Sequence, residues 1–154
     1  MVAVPSPLNG PSFSVIKLLG ERAFKDATKD ERINRTIRLV STIGMKGFDY
    51  DNPEFKQEVS ETIQRSPDDS GFIRHMAAIL GTKNRINKVK TISVPTLIIH
   101  GETDPLIKVK NAFHTHKLIK NSNLKVIKNM GHLIEEPIFD QFKIDLLNHL
   151  DINC

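Results

Sequence analysis

The sequence predicts an α/β chain of two unlike parts, a helical stretch over residues 1–91 and a βαβα stretch over residues 92–154. Two observations carry that expectation. Before residue 92 the apolar residues recur at helical spacing; after it, short apolar runs alternate with helical segments. A third is size and make-up: 154 residues, 39% hydrophobic and 26% charged, are enough for one ordinary globular body with a substantial core.

Taken in order, a short helix is expected around residues 13–19. Thr28 and Glu31 have the spacing of a capping box, and Ile33, Ile37, Val40 and Gly44 follow at helical intervals. Asn52 is a candidate N-cap with Pro53 in the first helical position, and Phe55, Val59 and Ile63 form the apolar stripe of that helix. Another helix begins near Ser70, is expected to bury Phe72, Met76, Ile79 and Leu80, and stops at Gly81. Each stripe reads as packing surface rather than a cofactor site.

Residues 94–100 then form an apolar run with little alternation, as a parallel strand covered on both faces requires. A helix over about 108–120 and a second strand over about 124–128 follow. The last helix is expected from Pro137, burying Phe139, Phe142, Leu146, Leu147 and Leu150. Strand, helix, strand, helix implies parallel connections in one sheet. Two parallel strands do not make an independent sheet, so this part is expected to need further strands to complete it.

Charge excludes more than it suggests. The net charge is +4, and residues 1–91 carry the excess, with 15 Lys/Arg against 11 Asp/Glu. A small basic cluster at Lys83, Arg85, Lys88 and Lys90 is interleaved with acids elsewhere, and only nine residues are aromatic. A solvated helical surface is expected, and no nucleic-acid partner. No apolar run approaches the roughly 18 residues that span a bilayer, and the first ten residues have no basic start and apolar core, so neither membrane nor signal peptide is expected. The one cysteine, Cys154, is the last residue, which fits a reducing, cytoplasmic setting.

The chemistry is concentrated in two segments. Pro95-Thr-Leu-Ile-Ile-His-Gly-Glu-Thr-Asp-Pro-Leu106 runs from a strand through Gly101 and sets Asp104 just past the strand's carboxyl end. Lys125-Val-Ile-Lys-Asn-Met-Gly-His132 repeats that arrangement and sets His132 past the next strand. Adjacent parallel strands would deliver a carboxylate and a histidine to the same rim, where open α/β sheets build their sites. A carboxylate beside an imidazole fixes its tautomer and stabilises the imidazolium, as a general base needs. His100 is expected to support the loop that carries Asp104. His114 and His116, two apart on a helix, do not share a face and are not read as a metal pair. Glu135 and Glu136 are read as the start of the last helix.

These two segments resemble the late, triad-bearing segments of the α/β-hydrolase superfamily, in which the order is nucleophile, acid, histidine. By that resemblance Asp104 matches the acid and His132 the base, and the helical stretch from about residue 11 to 90 is similar to the cap inserted before the acid strand. Ala77-Ala-Ile-Leu80 adds a likeness to esterases of the aclacinomycin-methylesterase type. The resemblance implies a C-terminal fragment of the fold, with a helical cap over residues 1–91 and a βαβα part of the core over 92–154. It also implies hydrolysis of a small-molecule carboxylic ester by a Ser-His-Asp mechanism without a cofactor. In the complete enzyme Phe13, Phe24, Phe48, Phe72 and Met76 would then contact an apolar acyl or ring group.

The chain departs from the family pattern in two respects. None of its nine serines lies in a Gly-x-Ser-x-Gly elbow, and no upstream His-Gly or Gly-Gly motif offers the second oxyanion donor. With base and acid but no hydroxyl to deprotonate, activity of the chain alone is expected near background. The alternatives are a second chain that completes the sheet and supplies the serine, or a non-catalytic protein-binding module. If Asp104 and His132 lay apart in the folded chain, the triad reading would fail.

Overall fold

The computed structural model describes residues 10–24, 27–65, 70–81 and 85–153. In chain order these form α1 (Phe13–Phe24), α2 (Lys29–Ile43), α3 (Pro53–Arg65), α4 (Ser70–Gly81), α5 (Ile86–Lys90), β1 (Thr96–Gly101), α6 (Lys110–Leu118), β2 (Ser122–Ile127), α7 (Glu136–Phe139) and α8 (Lys143–Asn153). They fall into two compact units. Among the described residues, the helical unit comprises those of 12–42 and 47–81; the α/β unit comprises 10–11, Ile43–Lys46 and 85–153. The division differs from the change of pattern at residue 92 for two reasons. Val89 of α5 packs on Ile119 at the end of α6, and a four-residue segment at the end of α2 belongs to the α/β unit.

In the helical unit, local chemistry sets where helices start. Thr28 and Glu31 form a reciprocal capping box: Thr28 N donates to Glu31 Oε2 at 2.8 Å and Glu31 N to Thr28 Oγ1 at 3.3 Å. The backbone and hydroxyl bonds from Thr28 hold the Glu31 carboxyl below the usual carboxylate range. Asn52 caps α3 through its Oδ1, which accepts from Phe55 N at 2.8 Å, with Pro53 first in the helix. Val59 and Ile63 are buried as their spacing predicts. In α2 the buried residues are Leu39 and Ile43; Ile33, Ile37 and Val40, expected on the apolar stripe, are half-buried. In α4, Phe72 and Met76 are half-buried and Ile79 is exposed; the Leu80 side chain lies outside the described residues.

The α/β unit is built on one parallel pair. β1 and β2 run in register from Thr96↔Ser122 to Gly101↔Ile127. Their β-branched and apolar residues favour the pleated conformation, and α6 returns the chain between them. On one side Ile127, Met130, Ile138 and Phe142 form a buried cluster backed by Met45, Ile99 and Leu146. Each such side chain contributes about 2 kcal/mol through removal from water. Val89 and Ile119 form a second cluster with Ile86, Ile92 and Leu118, joining α5 to α6.

Two sequence expectations are corrected here. The last helix is broken into α7 and α8, and of its expected core residues only Phe142 is fully buried and Leu146 partly. Phe139, Leu147 and Leu150 are exposed, so a face with core-like composition has no cover among the described residues. The first helix is longer than the expected 13–19, and Phe13 is 83% exposed.

Candidate active site at the carboxyl rim of the parallel pair

Both strands end at glycine or just before a turn, and the two loops that leave them are laid against each other. Gly101 closes β1 where a Cβ would fall on the Met130 and Gly131 carbonyls. Gly131 in turn approaches Ile43 and Gly44 so closely that a Cβ would fall on their carbonyls. Three backbone segments are thus stacked at van der Waals distance, and at these two positions only glycine fits. Asn129 supports the turn by adopting φ 61°, a left-handed conformation that asparagine tolerates better than most residues.

Main-chain hydrogen bonds then fix the stack. Glu102 N donates to Ile127 O at 3.0 Å, and Thr103 donates twice to Met130 O, from N at 3.1 Å and from Oγ1 at 3.0 Å. On the other side His132 N donates to Ile43 O and Lys46 N to Asn129 O at 3.3 Å. The Glu135 carboxylate accepts from Met45 N at 3.0 Å. The histidine loop is therefore held between the acid loop and the segment at the end of α2.

Asp104 and His132 meet in this frame. Asp104 Oδ2 accepts from His132 Nδ1 at 2.8 Å. Asp104 Oδ1 accepts from the backbone N–H of Leu106 at 2.8 Å and of Ile107 at 2.9 Å. The Asp104 side chain is 1% exposed and the His132 side chain 20%. A buried carboxylate whose oxygens are all engaged is oriented rather than free to rotate. Because Nδ1 faces Asp104, Nε2 is the ring nitrogen of His132 open to proton transfer. His132 is thus an imidazole oriented by a buried carboxylate.

The other sequence candidates take lesser places. His100 is buried, with Nε2 2.7 Å from Ile107 O and 3.7 Å from Asp104 Oδ2. His116 Nδ1 bonds Ser122 Oγ at 2.9 Å, which ties the end of α6 to the start of β2. Among the described residues no group of three His, Cys, Asp or Glu side chains could hold a metal ion. Glu136 opens α7 as expected, whereas Glu135 precedes it and turns back to Met45. In the helical unit Phe48 packs on Tyr50 at 4.8 Å and Phe55 at 6.3 Å between ring centroids, and the Arg22 guanidinium lies 4.6 Å above the Phe72 ring. The side chain of Phe24 lies outside the described residues.

Sequence reasoning missed Thr103 and the segment from Ile43 to Lys46. Both act through backbone carbonyls distant in sequence, and such bonds leave no local pattern.

No family model matches the sequence. Over 64 residues the chain is 34% identical to a non-heme haloperoxidase of Rhodococcus erythropolis, an alignment that spans 41% of this chain and 23% of that protein. The fold matches a bromoperoxidase from Bacillus anthracis with a TM-score of 0.68 and 19% identity, covering 89% of this chain and 48% of that one. It matches an esterase from Exiguobacterium antarcticum with a TM-score of 0.65 and 22% identity, covering 90% and 47%. The chain has the fold of the C-terminal part of an α/β-hydrolase. It spans about half the length of the solved structures it matches. In an α/β-hydrolase the loops after late strands deliver acid and then histidine, and here the loops after β1 and β2 bring an Asp and a His to hydrogen-bonding distance in that order. Among the described residues no helix is long and apolar enough to cross a membrane.

Proposed function

We propose that this chain supplies the acid and the base of a Ser-His-Asp hydrolase acting on a carboxylic ester, with the serine carried by polypeptide outside these 154 residues. The observation that carries the reading is the 2.8 Å bond from His132 Nδ1 to a buried, doubly anchored Asp104. In that chemistry His132 Nε2 removes the serine hydroxyl proton as its oxygen attacks the ester carbonyl. The imidazolium, stabilised by Asp104, then gives the proton to the departing alkoxide, and an acyl-serine remains. Water, deprotonated by the same nitrogen, releases the acid and restores the serine. Each step returns the proton it borrows, so no cofactor is called for.

The open side of β1 supports completion by further polypeptide. β1 pairs with β2 on one edge, and among the described residues no strand lies on the other. Thr96 to His100 also line a groove of about 210 Å³, with Ile92, Ile107, Asn111, Ala112, Thr115 and Ile119 as its remaining walls. Neither Asp104 nor His132 lines it. The same edge favours the second reading, a protein-binding module without catalysis.

The two readings part on one experiment. Polypeptide encoded in frame upstream of Met1 is joined to the chain and the product is assayed on short p-nitrophenyl esters. Hydrolysis is expected, falling by about 10⁴-fold in Asp104→Asn, which leaves the imidazole in the wrong tautomer. Activity that survives His132→Ala sinks the hydrolase reading. So does upstream sequence without a serine elbow, combined with a stoichiometric partner that leaves the assembly inert.

A further inference from the structure

We infer that His100 is a positioning residue for the acid–base pair. Acting as a hydrogen-bond donor through Nε2, it holds the Asp104 loop in the one shape that aims Oδ2 at His132. The inference rests on the reading of Asp104 and His132 as acid and base for its catalytic meaning, and on geometry alone for its structural content.

The geometry is a closed circuit. His100 is the penultimate residue of β1, opposite Val126 in the register, and its side chain is 6% exposed. Its Nε2 lies 2.7 Å from Ile107 O. A carbonyl oxygen only accepts, so Nε2 carries the proton of that bond. The Ile107 residue is therefore gripped twice: its N–H by Asp104 Oδ1 at 2.9 Å and its carbonyl by His100. The same Nε2 stands 3.7 Å from Asp104 Oδ2, too long for a hydrogen bond.

The consequence for Asp104 comes from its two oxygens. Oδ1 is bound by amides that belong to Leu106 and Ile107, so its direction depends on where residues 105–107 lie. Those residues have no regular structure of their own. His100, fixed in the strand and buried, ties their far end back to the sheet. Without that tie the loop can move away with Oδ1, and the carboxylate turns Oδ2 off His132. The histidine in Ile99-His100-Gly101 thus acts on the acid from inside the strand, while His132 meets it from the rim.

The test compares two amides of different reach. Glutamine places its side-chain N–H close to where the histidine Nε2–H stands; asparagine is too short to reach Ile107 O. The probe is the His132 Nδ1 proton, followed by proton NMR with ¹⁵N-labelled histidine on the 154-residue chain. In the native chain this proton is expected far downfield and slow to exchange, because it is held by a buried carboxylate. His100→Gln is expected to keep the signal. His100→Asn is expected to speed its exchange by about tenfold, the factor that matches one lost hydrogen bond in a buried site. Retention in both variants overturns the inference, since the donor is then dispensable. Loss in both also overturns it, since the ring as a packing body then matters and not its N–H. Absence of the signal from the native chain removes the Asp104–His132 pair on which the inference stands and overturns it, while the hydrolase reading is tested separately by the assembled protein. An assembled protein that has the signal but hydrolyses nothing defeats the hydrolase reading alone.

Discussion

Around Gly101 and Gly131 the chain is held by its own main chain: Thr103 N reaches Met130 O at 3.1 Å, Lys46 N reaches Asn129 O at 3.3 Å, and His132 N reaches Ile43 O. In the helical unit the holding falls to side chains. Arg38 and Glu21 pair at 3.3 Å on the surface, Phe48, Tyr50 and Phe55 stack, and Asn52 caps a helix. The contrast reflects the task of each region. A helix satisfies its backbone internally and can shift by a fraction of an ångström without losing a bond. The Asp104 carboxylate lies 2.8 Å from the His132 imidazole, and its loop is tied both by main-chain bonds and by the side chains of Thr103 and His100.

The sharpest way to break the contrast is Gly131→Ala. A methyl group there meets the Ile43 and Gly44 carbonyls, which are backbone and cannot step aside. A loss of about 3 kcal/mol or more in denaturant unfolding is expected, together with loss of the His132–Asp104 ring-proton signal. A change under about 1 kcal/mol would mean the stack is looser than its spacing implies. Next comes Thr103→Val, which removes the Oγ1 bond to Met130 O but leaves the backbone bond beside it. About 1 kcal/mol is expected, with a measurable weakening of the His132 signal. Smallest is Arg38→Ala in the helical unit, where the arginine is 59% exposed. About 0.5 kcal/mol or less is expected, with the His132 signal unmoved. If Arg38→Ala disturbs that signal more than Thr103→Val does, the two regions are not held by different means.

Much of this was legible in the sequence, for reasons that can be named. Strand, glycine, then a polar residue, twice over, placed Asp104 and His132 on one rim, because parallel neighbours leave a sheet on the same side. The capping residues Thr28, Glu31 and Asn52 act within three positions, so their pattern is complete in the local sequence. The features that escaped have a different origin. Met45, Gly44 and Ile43 join the histidine loop through carbonyls and amides some 90 positions away in sequence, and every residue has those groups. Leu147 and Leu150 were expected in a core and are exposed, because periodicity marks a face as apolar without saying what covers it. Phe48 and Phe72 could be read as pocket lining for the same reason; Phe48 lies against Tyr50 and Phe55, and the Arg22 guanidinium lies over the Phe72 ring.

The register of β1 against β2 sets a length as well as a pairing. Gly101 lies opposite Ile127, and from those two points the chain runs three residues to Asp104 and five to His132. Slipping the pairing by one residue would translate one loop against the other by about 3.3 Å and invert every side chain of the moved strand. That displacement exceeds the whole length of the acid–histidine bond. The six backbone pairs of this small sheet therefore act as a ruler, and the distance they measure out is the 2.8 Å between Asp104 Oδ2 and His132 Nδ1.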